Sequence, residues 1–146
     1  MYFDVKVKEK KTDWEQFERD VAEIFDQFGY KSEQDIRFKT VRRFQIDVIA
    51  YDEKRCFFID CKDHLYVSPG KEEDFVIKQR VRAENYLKTR TDFQYKKKIV
   101  LLVTKNKTAS LINHVESHGK ILSVDMSVLP DLLTNIYRYD DELYSF

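Results

Sequence analysis

Residues 43–63 read RFQIDVIAYDEKRCFFIDCKD. Two apolar runs flank the polar tetrapeptide DEKR (52–55), which reads as a hairpin turn. Each run carries one acid: Asp47 between Ile46 and Val48, Asp60 between Ile59 and Cys61. An acid without a partner is costly inside an apolar strand, so both carboxylates call for an explanation. A four-residue loop at 52–55, or a two-residue loop at Glu53-Lys54, sets Asp47 directly opposite Asp60. Opposite residues of an antiparallel pair share a face, with Cβ atoms about 5 Å apart. Lys62, two residues beyond Asp60, projects on that same face. A loop one residue shorter or longer than four would break the alignment.

Two like charges in opposition destabilise a strand pair. A divalent cation between them reverses the sign, and hard oxygen ligands suit Mg²⁺ or Mn²⁺, with water and a substrate phosphate completing the shell. Lys62 would then stabilise developing negative charge or orient an attacking water. These three residues alone are equally consistent with a solvent-facing strand bearing an ordinary Asp–Lys pair.

The preceding segment adds a third acid. Residues 13–28 predict an amphipathic helix, with Thr12 and Glu15, or Asp13 and Gln16, as a capping box and Gly29 as its stop. Trp14, Phe17, Val21, Ile24, Phe25 and Phe28 recur at helical spacing. On a helical wheel Glu18 falls inside this stripe, between Phe25 and Ala22, where it is the one charged residue. It needs a partner there, a metal or Lys62, unless it snorkels out at the rim. A second helix is predicted over 73–89. Its inner face carries Gln79 among Phe75, Val76, Ala83 and Tyr86. This amide either binds a water or phosphate oxygen at the site or bonds to nearby backbone. Arg80 and Arg82 flank it and either touch phosphates or keep the helix solvated.

The remaining elements complete an α/β pattern. Strands are expected over 34–40, 44–51 and 56–62, with residues 64–72 as a loop. KKIVLLVTK (97–105) reads as a strand covered on both faces. A helix over 108–118 ends at Gly119, ILSVD (121–125) is a last strand, and Pro130 begins a short helix. The order α-βββ-α-β-α-β-α predicts a three-layer arrangement around a mixed sheet.

These residues resemble the PD-(D/E)XK nucleases, the restriction-endonuclease-like superfamily. The resemblance rests on the helix FERDVAEIFDQFGY, then QIDVIAY, then FFIDCKD, and covers about residues 13–88. The nearest patterns are those of archaeal Holliday-junction resolvases and Mrr-type restriction nucleases. It implies a restriction-endonuclease-like α-β-α fold and Mg²⁺- or Mn²⁺-dependent hydrolysis of DNA phosphodiesters, with no small-molecule cofactor. By resemblance Glu18 is the helix glutamate that arranges the metal or its water, Asp47 the central metal ligand, Asp60 the second acid and Lys62 the catalytic lysine. The Cys61 carbonyl becomes a metal ligand, and Gln79 is similar to the glutamine often found on the next helix. Arg42, Arg43, Lys71, Lys78 and Arg82 are candidate phosphate contacts by their proximity in sequence. Relatives often work as two-fold homodimers. Gln45-Ile46 replaces the proline that often precedes the motif aspartate, and KTVRRFQ (39–45) replaces the Gly/Ser-rich loop typical of resolvases. A non-catalytic nucleic-acid-binding relative, or a nuclease acting on RNA or DNA ends, remains open.

Composition bounds the rest. The 146 residues, with three Gly and two Pro, predict a single domain over 1–146. Charged residues are 36% and hydrophobic ones 42%, which excludes a disordered chain. The longest aliphatic run, Ile99–Val103, is too short to span a membrane, and MYFDVKVKEKK lacks the apolar core of a signal peptide. Cys56 and Cys61 have opposite strand parity and should not bridge. The expected address is therefore the reducing cytoplasm. The net charge is zero, so polyanionic partners are suggested only by basic clusters: Lys6, Lys8, Lys10 and Lys11; Arg37, Lys39, Arg42 and Arg43; Lys96, Lys97 and Lys98. His114 and His118 have zinc-compatible spacing without a protease motif, and His64 follows the motif lysine. The aromatic tail Tyr137, Tyr139, Tyr144 and Phe146 either stacks on bases or packs at an edge.

Overall fold

The computed structural model describes residues 2–62, 69–105 and 120–146, with side chains described from residue 13 in the first stretch and 73 in the second. The predicted helix at 108–118 with His114 and His118, the loop residue His64 and the side chains of Lys6, Lys8, Lys10, Lys11 and Lys71 lie outside the described residues.

A five-stranded mixed sheet runs in sequence order: β1 (Lys31–Lys39), β2 (Arg43–Tyr51), β3 (Arg55–Lys62), β4 (Lys97–Thr104) and β5 (Ser123–Asp125). β1, β2 and β3 are antiparallel neighbours, whereas β3, β4 and β5 are parallel. The β2–β3 ladder pairs Val48 with Ile59 and Tyr51 with Cys56, the register expected from the DEKR turn. Asp52 builds that turn. Its Oδ1 accepts from the Lys54 and Arg55 amides at 2.8 Å each, an Asx-type turn.

Helix α1 spans Tyr2–Gln27, so Thr12 and Asp13 lie inside it and the predicted capping box is not its start. The segment before Thr12 has neither Pro nor Gly, and its Lys and Glu residues favour helix over a cap. The end is as predicted: Gly29 has φ +89°, and the Tyr30 amide bonds back to the Phe25 carbonyl at 3.1 Å. Phe17, Val21, Ala22 and Phe25 are buried, while Trp14 and Phe28 are 38% and 37% exposed. Helix α2 spans Pro69–Leu87 and takes in the end of the predicted loop, because proline is at home in a first helical turn. A short 3₁₀ turn, Thr91–Phe93, precedes β4. Helices α3 (Leu129–Thr134) and α4 (Ile136–Tyr139) follow β5, with Pro130 in the first turn of α3.

The apolar core divides across the sheet. Phe17, Val21 and Phe25 of α1 cluster with Phe57, Ile59, Cys61, Leu101 and the leucines of α3. Ala83 and Tyr86 of α2 cluster with Cys56, Phe58 and Ile49. Every residue of β3 from Arg55 to Cys61 is buried, as are Ile99–Thr104 of β4. Cys56 and Cys61 thus face opposite sides, buried and unbridged. No described helix is long and apolar enough to cross a membrane.

Candidate active site

The β2–β3 ladder begins at Val48 and Ile59, one rung short of the two acids. Beyond it the strands diverge, and the Asp47 side chain takes over the ladder's role: its Oδ2 accepts from the Cys61 amide at 2.9 Å. The amide and carbonyl of one strand residue point to the same side. The Cys61 carbonyl therefore also turns toward β2 and Asp47. The Lys62 carbonyl turns the other way and accepts from the Lys105 amide on the β4 side, at 3.2 Å.

Asp60 is buried, 7% exposed. Its carboxyl is pushed up to about 7, chiefly by burial. The Lys62 ammonium opposes that shift, and the charge of Asp47, with a hydrogen bond shared between the two carboxyls, adds to it. Lys62 Nζ lies 3.8 Å from Asp60 Oδ2 and 4.4 Å from the centre of the Phe75 ring of α2. Arg82 Nη1 approaches the same oxygen at 4.0 Å and donates to Gln79 Oε1 at 3.0 Å. Gln79 is 1% exposed, and its Nε2 has no hydrogen-bond partner among the described residues. A buried donor left unpaired is expensive, and it marks where an acceptor belongs.

One cleft of about 630 Å³ is lined by Asp47, Asp60, Cys61, Lys62, Gln79, Lys78, Arg82, Arg42 and Arg43. The structure thus brings together four of the predicted site side chains and four of the five predicted phosphate contacts. Arg80 does not join them. It donates to the Tyr144 hydroxyl at 3.0 Å and faces Glu84 and the Phe146 ring.

Glu18 is buried, 6% exposed, but lines a neighbouring depression with Trp14, Gln34, Asp35 and Gln45. Its carboxyl is raised to about 7, first by burial and then by the charge of Asp47. Its partner is the Trp14 indole, whose hydrogen bond works against the shift. Of the two partners expected for it, a metal or Lys62, Lys62 is not among the groups that act on it. Trp14 also lines the main cleft, as do Gln45, Ile77 and Val81. Helical spacing puts Trp14 in the apolar stripe of α1; its position one helical turn before Glu18 is the sign in the sequence of a site role.

Among the described residues no three His, Cys, Asp or Glu side chains stand close enough to share one metal ion. The donors offered together are two carboxylates and one peptide carbonyl. That set matches a small hard cation that keeps several waters and needs only one or two protein carboxylates.

No protein-family model and no curated protein matches the chain. Among solved structures it is similar to AF1548, a protein of unknown function. The two are 16% identical with a TM-score of 0.49, over 66% of this chain and 49% of that one. This chain thus matches about half the length of AF1548.

Proposed function

We propose that this chain is a metal-dependent endonuclease that hydrolyses phosphodiester bonds in DNA, built on the three-layer plan of the PD-(D/E)XK nucleases its motifs resemble. The observation that carries the reading is the meeting of Asp47, Asp60 and Lys62 at a strand fork, inside a cleft with four guanidinium or ammonium groups from the start of β2 and its preceding turn and from α2. Two mutually repelling carboxylates beside a phosphate path are a liability unless a cation sits between them.

Asp47, Asp60 and the Cys61 carbonyl would hold Mg²⁺ or Mn²⁺, which when bound polarises a phosphate and acidifies a water. The chain's own groups do the rest. Lys62, backed by the Phe75 ring, offsets the charge that grows on the phosphate in the pentacovalent transition state. Gln79 Nε2 donates to a phosphate or water oxygen, and its Oε1 holds Arg82 in the cleft. Arg42, Arg43 and Lys78 position the flanking phosphates. Glu18 lines the depression next to the cleft, where the charge of Asp47 helps raise its carboxyl. A two-fold pair of chains would let both strands of a duplex be cut.

The test is cleavage of labelled duplex, single-stranded and four-way-junction DNA with Mg²⁺ or Mn²⁺ against EDTA. Asp47→Ala and Lys62→Ala should each lower the rate by at least about a hundredfold. Wild-type protein inert with either metal on every substrate, or cleavage that survives both substitutions, would overturn the assignment.

A further inference from the structure

The β1–β2 hairpin beside the cleft has a two-sided build. Phe38 and Phe44 are cross-strand partners stacked at 5.5 Å, and Phe38 packs edge-on against Tyr86 of α2 at 5.3 Å. At the tip, Thr40 Oγ1 donates to Asn85 Oδ1 of α2 at 2.8 Å. The hairpin is therefore fastened to the helix that carries Gln79 and Arg82.

Its other face is polar. Lys39 pairs across the strands with Arg43, and Arg37 with Gln45. All four are exposed. Arg43 and Gln45 also line the catalytic cleft; Arg37 and Lys39 line an adjoining depression with them, and Arg37 also lines the one that holds Glu15, Glu18 and Asp35. Between residues 35 and 45 the cations are Arg37, Lys39, Arg42 and Arg43, and the sole acid is Asp35. Asp35 bonds Arg37 at 3.0 Å and Gln45 at 2.8 Å. Both groups of the Arg37–Asp35 pair are more than half exposed, so the pair leaves the guanidinium available to a phosphate.

We infer that the outward face of this hairpin is a duplex-DNA backbone track, with Arg37 and Lys39 gripping phosphates beyond the scissile position. The inference rests on the nuclease reading of the cleft. Charge complementarity gives the partner as a polyanion. The duplex form follows from the cations that approach the cleft from two separate elements, the hairpin (Arg42, Arg43) and α2 (Lys78, Arg82), as two phosphate strands require. Val41 at the apex, 83% exposed, then faces a groove rather than a core.

The test is equilibrium binding of a short DNA duplex, and of a single strand of equal length, in EDTA across a salt series. The proteins are wild type, an Arg37→Gln/Lys39→Gln double variant and a charge-keeping Arg37→Lys/Lys39→Arg variant. The double variant should bind duplex at least about tenfold more weakly, with its log K against log salt slope reduced by about 2. The charge-keeping variant should restore the slope. A double variant with the wild-type slope would overturn the track. So would equal losses on single strand and duplex, or wild type that binds no DNA. The nuclease reading is judged separately by metal-dependent cleavage in the Asp47 and Lys62 variants, which can succeed while the track fails.

Discussion

At the residue scale, the fork between β2 and β3 sets the electrostatics. Asp60 and Glu18 are both raised to about 7, each first by burial and then by, among other charges, Asp47. A carboxyl raised in the fold holds its proton more tightly there than in the unfolded chain. Its stabilisation is complete below the ordinary carboxylate range and is lost as pH climbs through about 7. The metal-free protein should therefore lose melting temperature between about pH 5 and about pH 8. Asp60→Asn should flatten that decline. Added Mg²⁺ should raise the melting temperature at about pH 8 and have little effect at about pH 5, because the cation competes with the shared proton. Calorimetry with and without EDTA checks both statements, and a metal-free protein that grows more stable with rising pH would contradict the assignment.

At the element scale, α1 shows where local rules hold. Gly29 terminates the helix at φ +89°, and a Cβ added there would meet nothing within 4 Å. The cost of Gly29→Ala is thus conformational alone, about 1 kcal/mol, and should appear as a lower urea midpoint with an unchanged slope. The start of the helix shows where they fail. A capping sequence stops a helix only if the chain before it has a better alternative, and the lysine-rich segment has none. In α2, Gln79 and Arg82 reach the cleft while Arg80 turns to the C-terminal segment. Gln79 and Arg82 are three apart and share a face, whereas Arg80 is one and two residues from them and so meets different neighbours.

At the scale of the whole molecule, the C-terminal residues close the sheet. Ser145 bridges to Ile99, Leu143 bridges to Ile121, and the Val100 amide donates to the Tyr144 carbonyl at 3.0 Å. The aromatic tail splits: Phe146 lies near Phe58, 6.4 Å between ring centres, while Tyr137 stays 73% exposed under Lys54 and Arg55. Arg55, buried within β3, makes a two-pronged pair with Asp140 at 2.9 and 3.1 Å, and Lys97 reaches the same acid. Asp140 is 28% exposed, so the pair is only partly desolvated. Asp140→Asn should cost about 2 kcal/mol by weakening the partner of a buried guanidinium. Chemical denaturation measures it, and a neutral result would show that Lys97 and solvent leave Arg55 satisfied.

Local sequence pattern was enough to set the types of the described main strands and helices, the β2–β3 register and the convergence of Asp47, Asp60 and Lys62. These follow from period-two alternation across one tight turn, a short-range constraint. It also placed Glu18 on the buried side of α1 and Gln79 on that of α2, because 3.6-residue periodicity fixes faces. Only the tertiary structure decided that the strands diverge a single rung before the acids, that Trp14 rather than Lys62 partners Glu18, and that Asp140 seals Arg55. It alone tied the hairpin tip to α2. Each of those features depends on how the sheet splays and how the helices and the C-terminal segment seat on it, and most join elements distant along the chain. No local periodicity encodes that seating.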